Sequence, residues 1–247
     1  MAKTYLDINC DVGEGVGNEP NIFPFIASCN IACGGHTGNV RTMERTVRLA
    51  QAHGVSMGAH PSYPDRHHFG RKRMDITPTA LQHAIREQIG QLEAIMQQQG
   101  LTMNHIKPHG ALYNDVAHNR ELALVFLEAI TAYKSHLALY VLSGSPLEAL
   151  ALKKGFTIKR EAFADRNYRS DGSLVPRGKH NALIKNPKAV LAHVLRMAQE
   201  KLVLTVDGNH RPLQADTYCV HGDTPSALKI LMYLNQELPK HNFLLKQ

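Results

Sequence analysis

Acids, imidazoles and one lysine recur in this chain at one kind of place, the C-terminal end of a short β-rich run. The run at 5–9 gives Asp7, Asn9, Asp11 and Glu14, that at 29–32 gives Asn30 and His36, and that at 55–59 gives His60 and Asp65. The run at 105–108 supplies Lys107 and His109, that at 156–162 supplies Glu161, Asp165 and Arg166, and that at 217–220 supplies His221 and Asp223. Imidazoles and carboxylates at such positions are the usual general acids and bases. An ammonium flanked by Pro108 and His109 suits a carboxylate or a developing oxyanion. Neutral imidazoles with a carboxylate also suit zinc, manganese or iron, and Asp11, His36 and His60 form the trio expected to hold such a divalent metal, although no HExxH or HxH spacing marks it.

Each residue also has a plain structural role to set against this. Asp7 can bond a loop amide, and Asp65 and Asp223 can hold turns. A lone histidine is more often packed or solvated than functional, but His36, His60, His109 and His221 all fall at strand ends, which favours a shared site. The remaining histidines on helices or polar loops, among them His118 and His193, are expected to be mostly solvated. Ser143-Gly144-Ser145-Pro146 is not a GxSxG elbow, no Walker loop is present, and Gly13, Gly15 and Gly17 do not follow GxGxxG spacing.

The elements that must carry these groups are legible in the punctuation. Thr77-Pro78, Ser145-Pro146, Asn186-Pro187 and Thr224-Pro225 each place a capping residue before proline and announce a helix, with Glu148 completing a capping box for Ser145. Leu81, Ile85, Ile89, Leu92 and Met96 make one apolar stripe closed by Gly100, and similar stripes run through Met43, Val47 and Ala50 and through Leu122, Phe126 and Ala129. A seventh β-rich run at 137–142 completes the series. Seven strands alternating with helices predict a mainly parallel sheet; the length and the strand count fit a closed βα barrel, in which the strand ends would converge on one mouth, and the runner-up is an open doubly wound sheet. Residues 201–214, with Asp207-Gly208, predict a hairpin outside that rhythm. No low-complexity linker divides residues 1–247, which are expected to form a single domain.

Composition narrows the function classes. Among 247 residues, 43% are hydrophobic and 20% charged, a globular balance that argues against disorder. The net charge of +7 favours an anionic partner, but the basic residues are scattered and there is no tryptophan, which argues against nucleic acid. No secretory signal and no membrane-spanning apolar run is visible, so a cytoplasmic protein without a membrane partner is expected. Cys10, Cys29, Cys33 and Cys219 lack CxxC spacing and are expected to be buried reduced thiols.

Asp7-Ile8-Asn9-Cys10-Asp11-Val12-Gly13-Glu14, Asn30-Ile31-Ala32-Cys33-Gly34 with His36, and Gly58-Ala59-His60-Pro61 with Asp65-Arg66 resemble the LamB/YcsF family of 5-oxoprolinase A subunits. Lys107-Pro108-His109-Gly110-Ala111-Leu112-Tyr113-Asn114, the Glu161 to Arg166 block with Tyr168, Val175-Pro176-Arg177, and Val220-His221-Gly222-Asp223-Thr224-Pro225 follow in the family's order. Gly35 stands where relatives usually carry an aromatic, and Asn39-Val40 replaces an Asp-Pro. The resemblance implies a single-domain (β/α)7 TIM-like barrel of the glycoside hydrolase/deacetylase superfamily. It also implies ATP-dependent opening of 5-oxo-L-proline to glutamate, with ATP converting the lactam oxygen to a leaving group, and partner subunits B and C.

On that basis Asp11, His60, Lys107, His109, Glu161 and His221 are the expected catalytic residues, and Asn9, Asn30, His36, Arg166 and Asp223 the expected contacts to a small anionic lactam. Lys107 and Arg166 would bind anions, Asp11 or Glu161 would act as general base, and His60, His109 or His221 would move protons. The alternative is a metal-dependent deacetylase or amidohydrolase of a small amide or sugar.

Overall fold

Alternation along the strands decides what lies inside this protein. The computed structural model describes residues 3–246. In chain order the strands are β1 (Thr4–Leu6), β2 (Ile8–Val12), β3 (Ser28–Ala32), β4 (Ser56–His60), β5 (His105–Ile106), β6 (Ala138–Leu142), β7 (Thr157–Phe163), β8 (Leu202–Leu204), β9 (His210–Pro212), β10 (Thr217–Cys219) and β11 (Phe243–Leu245). Seven of them close a barrel in the order β10-β2-β3-β4-β5-β6-β7. Every neighbouring pair is parallel, and β10 meets both β2 and β7, which excludes the open sheet.

The run at 5–9 turns out to be two elements. β1 leaves the barrel to pair with β11, and the barrel strand β2 begins at Ile8 and carries on to Val12, so Asp11 lies within a strand rather than beyond it. The reason is the period of two: Ile8, Cys10 and Val12 go to the apolar shell, and Asn9 and Asp11 face inward. The hairpin of β8 and β9 forms as expected, turning at Gly208.

The helices are α1 (Glu19–Ile22), α2 (Val40–Ala52), α3 (Pro78–Gln98), α4 (Gly110–His118), α5 (Arg120–Ala129), α6 (Pro146–Lys153), α7 (Pro187–Leu195) and α8 (Ala227–Glu237). The α3 stripe is fully buried. Thr77 accepts from the Ala80 amide, and Asn186 from the amides of Lys188 and Ala189. Two caps differ from expectation. Ser145 makes no cap bond, because Glu148 reaches back to the Gly144 amide and pairs with Arg160. Thr224 donates instead to Asp165, so α8 starts later, after Ser226.

All four cysteines are free and buried. His193, expected to be solvated, is buried on the inner face of α7, where burial lowers its pKa to about 4. Position 35 has no room for the aromatic that relatives usually carry, because the Gln88 amide fills the space above Gly35 and bonds both the amide and the carbonyl of Ser62. Among the described residues no helix is long and apolar enough to cross a membrane.

Candidate active site

Inward residues stack in layers along the barrel. At the N-terminal end Asp7, Ser28, Tyr140, Lys159 and Thr217 form a hydrogen-bonded floor. Above it Asn9 donates to Glu161 and Thr217, and Asn30 donates to Asn9 and Asp11. The His105 ring fits into this layer only because residue 58 is glycine: a Cβ there would meet the ring at 2.3 Å. The top layer, at the C-terminal mouth, holds Asp11, His60, Lys107, Phe163 and His221 around a cavity of about 620 Å³. That volume suits a small molecule.

Lys107 crosses the barrel beneath the cavity. Its ammonium stands 2.9 Å from Asp11 Oδ1, 2.9 Å from Glu161 Oε1 and 3.2 Å from Cys219 Sγ. Burial alone would lower its pKa, but the facing negative groups outweigh that and hold it well above the ordinary lysine value. Burial would likewise raise Asp11, yet His60 and Lys107 hold its carboxyl well below the usual range. The Cys219 thiol is pushed up by burial and stays protonated.

Two histidines meet beside Asp11. His60 Nδ1 donates to the Lys107 carbonyl at 2.8 Å, and His109 Nε2 donates to the Phe69 carbonyl at 3.0 Å. Their remaining nitrogens, His60 Nε2 and His109 Nδ1, lie 3.0 Å apart. Asp11 Oδ2 is 3.4 Å from the first and Glu14 Oε1 is 3.4 Å from the second. Burial, with His36 and His60 alongside, holds the His109 pKa well below its ordinary value. Gly110 follows His109 with φ +58°, and a side chain there would strike the Gly70 carbonyl at 2.6 Å, so this turn into α4 requires glycine.

His221 forms a separate pair. Its Nδ1 donates to Asp165 Oδ1 at 2.8 Å, and Asp165 is further held by the His221 amide and the Thr224 hydroxyl. That arrangement fixes the tautomer and turns Nε2 toward the cavity, the posture of an acid-base histidine.

The expected residues are therefore gathered, with adjustments. Asp11, His60, Lys107, His109, His221, Arg166 and Asp223 all line the cavity. Asn9, Asn30 and Glu161 lie below it, fully buried, and position Lys107 and Asp11 rather than contact a ligand. His36 is behind the wall, stacked 3.7 Å from His109 with its Nε2 given to Glu14 at 3.0 Å. The expected metal trio is corrected accordingly: the donor atoms that converge belong to Asp11, Glu14, His60 and His109, because the His36 nitrogen is already spent on Glu14.

Arg166 donates to the carbonyls of Val175 and Ala182 and so pins the loop over the mouth, while burial and Arg177 lower its pKa to about 10. Asp223 is chelated by Arg177 and also bound by Arg71, so it orients two guanidiniums instead of meeting an anionic ligand. Arg71, Arg169 and Arg177 line the cavity and are not among the expected site residues, and Glu14, expected only as one of the strand-end acids, lines it too. Glu14 and Arg177 lie in the family-like blocks, which was the available signal.

Comparison with known proteins agrees with this fold. Residues 6–247 match the LamB/YcsF family. A protein of Chloroflexus aurantiacus, named as the A subunit of 5-oxoprolinase, is 45% identical over 227 residues, 90% of each chain, and one of Chloroflexus aggregans with the same name is 44% identical over the same share. The crystal structure of a lactam utilization protein from Thermus thermophilus superposes with a TM-score of 0.91 at 36% identity, covering 98% of this chain and 99% of that one.

Proposed function

The chain belongs to the LamB/YcsF family, and from that membership we propose that it is the A subunit of an assembly that opens 5-oxo-L-proline to L-glutamate at the expense of ATP. The observation that carries the reading is the 45% identity, over nine-tenths of both chains, to a protein that bears the name of the 5-oxoprolinase A subunit. The cavity supports it: a buried ammonium, an acid-base histidine and four arginines surround a space of about 620 Å³.

A five-membered lactam is a stable amide, so three things are needed: a grip on its carboxylate, stabilisation of charge on the carbonyl oxygen, and a proton for the departing nitrogen. Arg169 and Arg177 at the mouth hold the carboxylate. Lys107, braced by Asp11 and Glu161, stabilises the oxygen. His221, oriented by Asp165, takes a proton from the attacking water and returns it to the ring nitrogen as the C–N bond breaks. Asp11 is held too far below the usual carboxylate range to be a good base, and Glu161 lies out of reach of the cavity, so both serve Lys107. ATP is coupled by transfer of its terminal phosphoryl group to the lactam oxygen, so that attack by water and C–N cleavage leave an acyl phosphate, which a second water hydrolyses to glutamate and phosphate; subunits B and C complete the assembly.

The test measures 5-oxoproline-dependent phosphate and glutamate release by this chain alone and with the B and C subunits. Coupled release is expected only from the assembly. Lys107→Met or His221→Ala should lower it by about 10²-fold or more. Unchanged release in both variants would discard the assignment.

A further inference from the structure

The two histidines beside Asp11 are arranged in a way that hydrogen bonding does not explain. The outer nitrogen of each ring donates to a backbone carbonyl, His60 Nδ1 to Lys107 and His109 Nε2 to Phe69. In the neutral rings, the inner nitrogens are therefore both bare lone pairs, and they face each other at 3.0 Å. Two acceptors at that distance repel unless a cation lies between them.

Two carboxylates point at the same place. Asp11 uses Oδ1 for Lys107 and Asn30, which leaves Oδ2 facing His60 Nε2 at 3.4 Å. Glu14 Oε1, steadied by His36, lies 3.4 Å from His109 Nδ1. Donors bound to one transition ion at about 2.0–2.2 Å in a tetrahedron stand about 3.3–3.6 Å apart, and somewhat closer at higher coordination number, a range that the 3.0 and 3.4 Å contacts approach, with all four donor atoms within 4.8 Å of one another. Each donor residue also has its other polar atom or its orientation fixed by a neighbour, the supporting shell that metal-bound imidazoles and carboxylates require. Phe69 holds a left-handed backbone, φ +55°, in placing its carbonyl against His109, a strain that persists only where the surroundings enforce it.

Charge points the same way. Asp11 and Glu161 share one lysine ammonium, and Glu14, buried beside Asp11, has only the imidazoles of His36 and His109 as partners, so the cluster lacks positive charge. Lys107 does not occupy the centre, because it binds the opposite oxygen of Asp11.

We propose that Asp11, Glu14, His60 and His109 form a binding site for one divalent transition ion of the zinc class, opening onto the cavity. Two imidazole nitrogens and two carboxylate oxygens favour such an ion over magnesium or calcium. The site stands on this chain's own geometry and does not depend on the lactam reading.

The experiment uses the purified full chain, stripped with a chelator, without substrate or partner subunits. Zinc and cobalt salts are titrated separately, with bound metal counted after dialysis and cobalt followed by its visible ligand-field bands. One ion per chain is expected, with cobalt bands of a low-coordinate nitrogen-oxygen site. His60→Gln and His109→Gln should each weaken binding by about 100-fold or more, and His36→Gln by about 10- to 100-fold through its hold on Glu14. No uptake by the wild-type chain overturns the proposal, as does uptake that both ligand variants retain. Should a variant fail to fold, nitrogen-15 imidazole spectra of the wild type decide: zinc must shift one ring nitrogen in each of two histidines, and two histidines that merely share a proton without responding to zinc refute the site. Loss of lactam opening with metal binding intact would refute the lactam reading and leave this site standing.

Discussion

The floor and the mouth of the barrel are both buried and both polar, yet they are built on opposite terms. At the floor each acceptor meets a donor: Asp7 Oδ1 accepts from Ser28 and Thr217, and its Oδ2 accepts from Lys159 at 2.8 Å. One layer up, Asn30 accepts from His105 at 2.8 Å while its amide donates to Asn9 and Asp11. At the mouth, acceptors meet acceptors: two imidazole nitrogens and two carboxylate oxygens crowd one point, and Lys107 is shared among several negative groups. A network that satisfies itself is structure, and one that leaves like ends facing is arranged for something else to complete.

The largest effect should come from the mouth. Lys107→Met leaves Asp11 and Glu161 buried without their cation and is expected to cost about 3–5 kcal/mol in denaturant unfolding, as breaking a buried pair by removing one partner does. An unchanged unfolding midpoint would mean that these carboxylates do not rely on the ammonium.

Acid should weaken the paired region next. Burial holds His105 well below the ordinary histidine value and His193 at about 4, so both stay neutral in the fold. The unfolded chain takes up protons first as pH drops below about 6.5. Stability is therefore intact above that pH and lost as it falls toward 4, by up to about 1.4 kcal/mol per pH unit for each histidine. His105→Gln should remove its share of that slope, and a slope that stays the same contradicts a neutral His105.

Gly58→Ala drives a methyl group into the His105 ring and is expected to cost about 1–3 kcal/mol, read as a fall in thermal midpoint. Lys159→Met should be mildest, about 1 kcal/mol, because its side chain is 26% exposed and Asp7 keeps two hydroxyl donors. Lactam opening by the assembly should be unaltered in this variant. A large loss of activity there would erase the distinction between floor and mouth.

Much of this was visible in the residues. The proline-marked caps at Thr77 and Asn186, the α3 stripe, the hairpin at Asp207-Gly208 and the polar strand ends follow local rules. Ser145 and Thr224 misled because a cap is a competition: Glu148 took the role of one, and Asp165 drew the hydroxyl of the other away. Arg71 and Arg177 were hard to single out, since a charged loop residue looks the same whether it faces a cavity or water. His193 was misjudged because a helix pattern does not say which histidine lies on the packed side.

What the sequence determined by itself was the alternation: Asn9 and Asp11 inward, Ile8, Cys10 and Val12 outward, and so a barrel with polar contents. Which atom faces which was decided only on closure of the ring, because that step sets Asn9 beside Glu161 and Thr217, and Lys107 beside Asp11, across separations of about a hundred residues or more. The tautomers of His60 and His109 follow from backbone carbonyls of Lys107 and Phe69, and no side-chain pattern encodes where a carbonyl will point.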